Sequence, residues 1–199
     1  LTERILVLEP MQGKKMTELK KGTTVARKAA VQSLAAVLEQ IFDHGFFHAD
    51  PHAGNLFFLE EEGQVGFIDL GMVGQLHPKD KQQFLKVVLA ILKRDRKKLA
   101  QSLYDLGEKT SKADFDKFDG GVQALLDDIK KRGVDNVRLD KMVNQLLVVA
   151  RKNGVLVPNR YIMMIRSCLM IEGVAKNLDP SLSLARVAVP IVTKSLLKG

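Results

Sequence analysis

The sequence predicts an α+β fold that is mainly α, and three observations carry that reading. The first 77 residues hold a short apolar strand, an amphipathic helix and a β-hairpin, and apolar residues then recur at helical spacing towards the end. Strands do not alternate regularly with helices, which excludes a doubly wound parallel sheet. At 199 residues, 46% hydrophobic and 27% charged, the chain excludes disorder, collagen and a coiled coil. A chain of this size buries about 70% of the surface its unfolded form exposes, enough for a core without staples.

Each element has a local reason. Arg4 to Glu9 reads as a short strand ended by Pro10-Met11-Gln12-Gly13, because proline has no ladder donor and glycine permits a sharp turn. Thr23 or Thr24 caps a helix on which Val31, Leu34, Leu38, Ile41 and Phe42 recur until Gly45. Asn55 to Leu59 and Gln64 to Ile68, separated by Glu60-Glu61-Glu62-Gly63, form a hairpin with a charged tip. Pro78 opens a helix carrying Phe84, Leu85, Val88, Leu89 and Leu92, and the next carries Leu99, Leu103 and Leu106 to Gly107. Further helices start near Asp114, Asp140 and Pro158, with Gly133 and Gly154 as stops, giving five or six helices after the hairpin. His77 reads as a surface residue at a helix start, and Met163, Met164 and Met170 as core filler. Arg166 interrupts the apolar stretch from Tyr161 to Ile171; its stem lies along that face while its head reaches water or a carboxylate, Glu172 being the candidate.

Charge is divided unevenly. Residues 1–92 carry 10 basic and 11 acidic side chains, whereas residues 93–199 carry 21 basic and 12 acidic ones, with runs at Lys93–Lys98 and Lys130–Arg132. Such runs are read first as solvated helix faces, and secondly as contacts for an anionic membrane surface; no nucleic acid is expected. No run reaches the roughly 18 apolar residues of a membrane span. The first nine residues lack the zones of a signal peptide and an initiator methionine, so the chain is expected to begin inside a larger protein. The single cysteine, Cys168, excludes an intrachain disulfide and thiolate zinc, and its apolar neighbours predict a buried thiol.

Polar residues concentrate in His48-Ala49-Asp50-Pro51-His52-Ala53-Gly54-Asn55 and again in Asp69-Leu70-Gly71. Asp50 and Asn55 lie five apart around a Pro/Gly loop, and Asp69 leaves the hairpin's second strand at the same end. Hard oxygen donors for Mg²⁺ beside a carboxylate are what phosphoryl transfer from ATP requires. Kinase catalytic loops follow His-x-Asp-x4-Asn and then Asp-x-Gly, a pattern that His48, Asp50, Asn55, Asp69 and Gly71 reproduce. The plainer alternative is that these Asx residues cap turns beside the hairpin. His44, His48 and His52 recur every four residues, but Gly45 and Pro51 break the helix that a three-imidazole metal site would need. Leu8 to Gly13 is similar to a kinase hinge, in which the Glu9 carbonyl and the Met11 amide would pair with adenine.

The segments "LVLEPMQG", "FFHADPHAGNLFFLEEEGQVGFIDLGMVGQL" and "EGVAKNLDPSLSL" together resemble the UbiB/AarF family of atypical, protein-kinase-like proteins along nearly the whole chain. "HADPHxGN" is also similar to aminoglycoside and choline kinases; "GMVGQL" and "EGVAKNLDP" favour UbiB. The resemblance implies the C-terminal lobe of a protein-kinase-like fold, Mg-ATP as cofactor, ATPase-like activity and a role in isoprenoid quinone biosynthesis at a membrane. It places Asp50 as the catalytic-loop aspartate, His48 as the loop-bracing histidine, Asn55 and Asp69 as magnesium ligands, and His52 where protein kinases have a nucleotide-facing lysine. Ala53 stands where the family usually has proline and Leu70 where it usually has phenylalanine.

The expected organisation is hinge and linker at 1–22, catalytic helix, loop and hairpin at 23–77, and a helical subdomain at 78–199. The N-lobe, with its phosphate-clamping lysine, is expected upstream of Leu1 as a partner of this lobe, so the isolated chain should fold without turning over ATP. Quinone-biosynthesis proteins or lipids are further expected partners. Two alternatives remain: a small-molecule phosphotransferase, and a basic membrane-binding scaffold whose kinase-like loop is inactive.

Overall fold

The computed structural model describes residues 7, 10–132 and 139–197. Of the expected strand at Arg4 to Glu9 only Val7, which is exposed, is among these residues, and the helix stop at Gly133 lies outside them.

Helix α1 (Thr24–Glu39) starts where its cap predicts: Thr23 has extended backbone, and its hydroxyl accepts from the Ala26 amide at 3.2 Å. Its last turn widens into a π-turn at Gln40–His44, closed by Gly45 at φ 69°. Only glycine suits that corner, because a Cβ there would also lie 2.7 Å from the Leu76 carbonyl oxygen. The chain then forms β2 (Phe46–His48), a 3₁₀ turn at Ala53–Asn55, the hairpin β3 (Leu56–Leu59) and β4 (Gln64–Phe67), and β5 (Val73–Gln75). A two-residue strand, β1 (Lys14–Lys15), adds to the hairpin in the order β1-β3-β4, while β2 and β5 pair separately and antiparallel.

This nesting positions the polar residues. The segment from β2 to β3 and the segment from β4 to β5 are the two crossings between the small sheets, and they hold Asp50 to Asn55 and Asp69 respectively. Both crossings therefore lie side by side, and two backbone bonds stitch them: Ala49 donates to Met72 at 3.0 Å and Ile68 donates to Asn55 at 2.9 Å.

Among the described residues six helices follow: α2 (Pro78–Leu92), α3 (Arg96–Leu106), α4 (Phe115–Arg132), α5 (Leu139–Lys152), α6 (Asn159–Leu178) and α7 (Leu184–Leu197). A short pair, β6 (Glu108–Lys109) with β7 (Val155–Leu156), ties the α3–α4 connection to the α5–α6 connection. The main core lies between α1 and α6. Ala26, Ala29, Ala30 and Ser33 let the helices approach closely, and Leu34, Val37, Tyr161, Met164 and Ile171 fill the seam. A second cluster, Ala100, Phe118, Val122, Ala150 and Val155, joins α3, α4 and α5. Met164 is fully buried, and Met163 packs against the same core.

One expected pair is corrected. Glu172 bonds Lys176 at 2.9 Å, one turn on, rather than Arg166, because i and i+4 share a helix face whereas i and i+6 do not. Arg166 is exposed. Cys168 lies half-buried against the main core, and burial, with Glu172 nearby, pushes its thiol up to about 12.

Candidate functional site

His48 is 3% exposed and organises the site. The Asp50 amide donates to His48 Nδ1 at 3.1 Å, and His48 Nε2 lies 3.3 Å from the Ile68 carbonyl. A backbone N–H can only donate, so Nδ1 is the bare nitrogen and Nε2 carries the proton. The imidazole thereby links the residue that begins one loop to the residue preceding Asp69 in the other. Ile68 is held on both sides, since its own amide donates to the Asn55 carbonyl. Phe67 packs beside the imidazole with ring centroids 5.7 Å apart.

Around this brace, Asp50 is half-exposed, its Oδ2 3.9 Å from His52 Nε2. His52 caps the 3₁₀ turn, its Nδ1 accepting from the Gly54 amide at 3.1 Å. Asp69 is exposed and adopts φ 58°, a left-handed conformation that aspartate tolerates better than most side chains. Its Oδ1 accepts from the Gly71 amide at 3.4 Å, which turns the chain sharply towards β5. His44, His48 and His52 sit on a π-turn, a strand and a 3₁₀ cap, so they do not share one helix face.

Asn55 is 6% exposed, and its buried Nδ2 has no hydrogen-bond partner among the described residues. An amide so placed is disfavoured by about 1–3 kcal/mol against a bonded one, and a half-turn would put Oδ1 in the same dry position. A polar residue held at that expense, on the loop bonded to the residue before Asp69, carries an amide oxygen of the kind a hard cation takes as ligand.

Towards the start of the chain, Met11 is half-buried, and its thioether fills the space that a side chain at Gly66 would take, so the segment after Pro10 lies over β4. Glu9 lies outside the described residues.

Side chains with no local signature in the sequence hold this region from a distance. The His48 amide donates to Gln40 Oε1 at 3.0 Å, and the Ser167 hydroxyl donates to the His48 carbonyl at 2.7 Å. Asp80, 6% exposed in the first turn of α2, accepts from Arg160 Nε at 2.8 Å, from the Tyr161 hydroxyl at 3.0 Å and from the His77 amide at 3.0 Å. Burial raises the Asp80 carboxyl, but these three donors outweigh it and hold the carboxyl below its ordinary range.

A sequence profile of the ABC1 atypical kinase-like domain matches residues 1–103. The chain belongs to the ABC1 atypical kinase-like family. A second profile, for the UbiB helical domain, matches residues 122–183, from within α4 to the loop after α6. Among relatives of this ABC1 chain, an uncharacterised protein of Synechocystis is 31% identical over 190 residues, covering 94% of this chain and 32% of the relative. An uncharacterised protein from a hydrogenase 5′ region of Clostridium pasteurianum is 29% identical over 195 residues, covering 96% and 36%. The probable protein kinase UbiB of Azotobacter vinelandii is 28% identical over 202 residues, covering 98% and 37%. The ABC1 chain thus spans about a third of the length of these relatives.

Proposed function

We propose that this chain is the C-lobe of an ATP-dependent UbiB-like kinase or ATPase, and that its two crossing loops bind the Mg-nucleotide. The observation that supports the reading is the His48 imidazole joining the Asp50 amide to the Ile68 carbonyl, because it holds the loop of Asp50 against the segment that leads into Asp69. Asn55 and Asp69 hold the ion, Asp50 orients the attacking hydroxyl or water and takes its proton, and His48 keeps Asp50 in register with Asp69. When bound, magnesium supplies neutralisation of the triphosphate's charge. The Met11 amide is the adenine contact among the described residues, and His52, its Nε2 3.9 Å from Asp50 Oδ2, lies on the nucleotide's side of the loop. The phosphate-clamping lysine belongs to the N-lobe of the whole protein. Titration of the full-length protein with ATP, with and without Mg²⁺, tests the reading: tight binding only with Mg²⁺ supports it, and no binding in either titration rejects it.

A role in isoprenoid quinone biosynthesis follows from the UbiB resemblance, and quinone content in cells carrying Asp50→Asn checks it. Attachment to an anionic membrane surface is supported by the α2–α3 turn, where Lys93, Arg94 and Lys97 are exposed without an ion pair among the described residues. No helix among the described residues is long and apolar enough to cross a membrane.

A further inference from the structure

Strand β2 has one paired edge. Gly45 accepts from Leu76 and Ala49 donates to Met72, so the β5 side of the ladder engages alternate residues, and the amide and carbonyl of His48 point to the other side. No strand covers that side among the described residues. Two side chains do instead: Gln40 Oε1 accepts from the His48 amide, and the Ser167 hydroxyl donates to the His48 carbonyl. The donors and acceptors are unambiguous, since a backbone amide donates and a backbone carbonyl accepts.

Neither side chain is placed by accident of packing alone. Gln40 opens the π-turn, the one departure from α geometry at the end of α1, and such turns often re-aim a side chain at a functional site. Ser167 lies on the face of α6 that buries Met164 and Ile171, fully buried itself, and it bonds across 119 positions although a helical serine normally returns its hydroxyl to its own helix. Ser33 does just that, bonding the Ala29 and Ala30 carbonyls.

We infer that Ser167 and Gln40 are positioning residues which complete the open edge of β2 and so let helix α6 set the placement of Asp50. The chain of contact is short: Ser167 and Gln40 hold the His48 backbone, the His48 ring holds the Asp50 amide, and Asp50 follows two residues later. The inference rests on the reading of Asp50 as the base, and it ties the region matching the UbiB helical domain to the catalytic loop.

The test compares Ser167→Ala with Ser33→Ala in the full-length protein. Both remove a buried hydroxyl, but only the first touches β2. Hydrogen exchange at the Asp50 amide should quicken about tenfold in Ser167→Ala and stay at the wild-type rate in Ser33→Ala. Turnover of Mg-ATP should fall about tenfold in kcat for Ser167→Ala, with KM changed less than about threefold, because the base is misplaced while the nucleotide ligands are intact. Unchanged exchange at Asp50 in Ser167→Ala, or equal quickening in Ser33→Ala, overturns the inference. Should Ser167→Ala fail to fold, Gln40→Leu gives the same comparison from the half-buried partner, with the His48 amide as the reporter, and unchanged exchange there overturns it too. Wild-type protein without Mg-ATP turnover would remove the kinase reading, and the exchange rates would still decide the positioning role.

Discussion

The Tyr161 hydroxyl donates to Asp80 Oδ1 at 3.0 Å, joining the first turn of α6 to the first turn of α2 across 81 positions of sequence. Arg160 reaches the same oxygen, and its guanidinium lies 5.1 Å from the centre of the Tyr161 ring. Burial raises the Tyr161 phenol, and the Asp80 charge beside it raises it further, from 10.0 to about 12. The acid and the phenol therefore give this joint opposite limits of pH.

Asp80 has a folded-state pKa below its ordinary 3.8, so its contribution is present above that value and is lost as pH falls below it. Tyr161 has a raised pKa, so its contribution is present below pH 10 and is lost as pH rises towards about 12. Tyr161→Phe should lower stability by about 1–2 kcal/mol at pH 7, and Asp80→Asn by about 2–3 kcal/mol, since the latter removes the charge opposite Arg160 and sets an amide NH2 against the His77 N–H donor. Denaturant unfolding across pH checks both: the Asp80→Asn deficit should shrink below about pH 4 and the Tyr161→Phe deficit above about pH 10. Deficits that stay constant with pH would refute the assignment.

Asp69→Asn keeps the shape of the proposed ligand and removes its charge. In the full-length protein it should weaken Mg-nucleotide binding by at least about tenfold while leaving metal-free nucleotide binding within about twofold. Calorimetric titrations with Mg²⁺ and with chelator supply both numbers, and an equal loss in the two would mean that Asp69 serves the turn rather than the ion.

Gly45→Ala should destabilise the chain by about 2–3 kcal/mol, because the residue combines φ 69° with a Cβ position 2.7 Å from the Leu76 backbone oxygen. The same corner sets the path from α1 into β2, so the variant should also quicken exchange at the Asp50 amide. Thermal melts that match wild type would show that the turn relaxes freely.

What the sequence disclosed is what local chemistry encodes. The Thr23 cap, the hairpin around Gly63, the Pro78 start and the helices opening near Asp114 and Pro158 all depend on residues within a few positions of each other. That the segments carrying His48 to Asn55 and Asp69 lie side by side was legible, because the hairpin that joins them is itself local. The pairing of β2 with β5 was not, since three-residue strands carry almost no periodic signal. Nor was the Gln40 contact, which depends on the π-turn, nor Ser167 or the Asp80, Arg160 and Tyr161 joint, whose partners lie 119 and 80 or more positions away and meet only when α6 packs. For Arg166 charge alone left water and Glu172 open, and helix geometry decides for water, since Glu172 pairs with Lys176.

The basic run from Lys93 to Lys98 is less uniform than its sequence suggests. Arg96 bonds Asp127 at 2.9 Å and the Gln123 carbonyl, and Lys98 pairs with Asp95 at 3.3 Å, so both are partly neutralised within the fold. Lys93, Arg94 and Lys97 are exposed and carry no such pair among the described residues, and the left-handed backbone of Arg94 makes the turn between α2 and α3 a sharp corner. A lysine or arginine close to an anionic leaflet contributes about 1 kcal/mol, an effect that decays within about 8 Å at physiological salt. Binding to vesicles rich in anionic lipid should therefore weaken about tenfold or more when Lys93, Arg94 and Lys97 are changed together to glutamine. Changing Arg96 and Lys98 should weaken it less, because each is already engaged. Flotation with anionic and neutral vesicles at low and high salt measures this. Binding that ignores salt, or that depends on Arg96 and Lys98 as strongly as on the other three, would remove the electrostatic account.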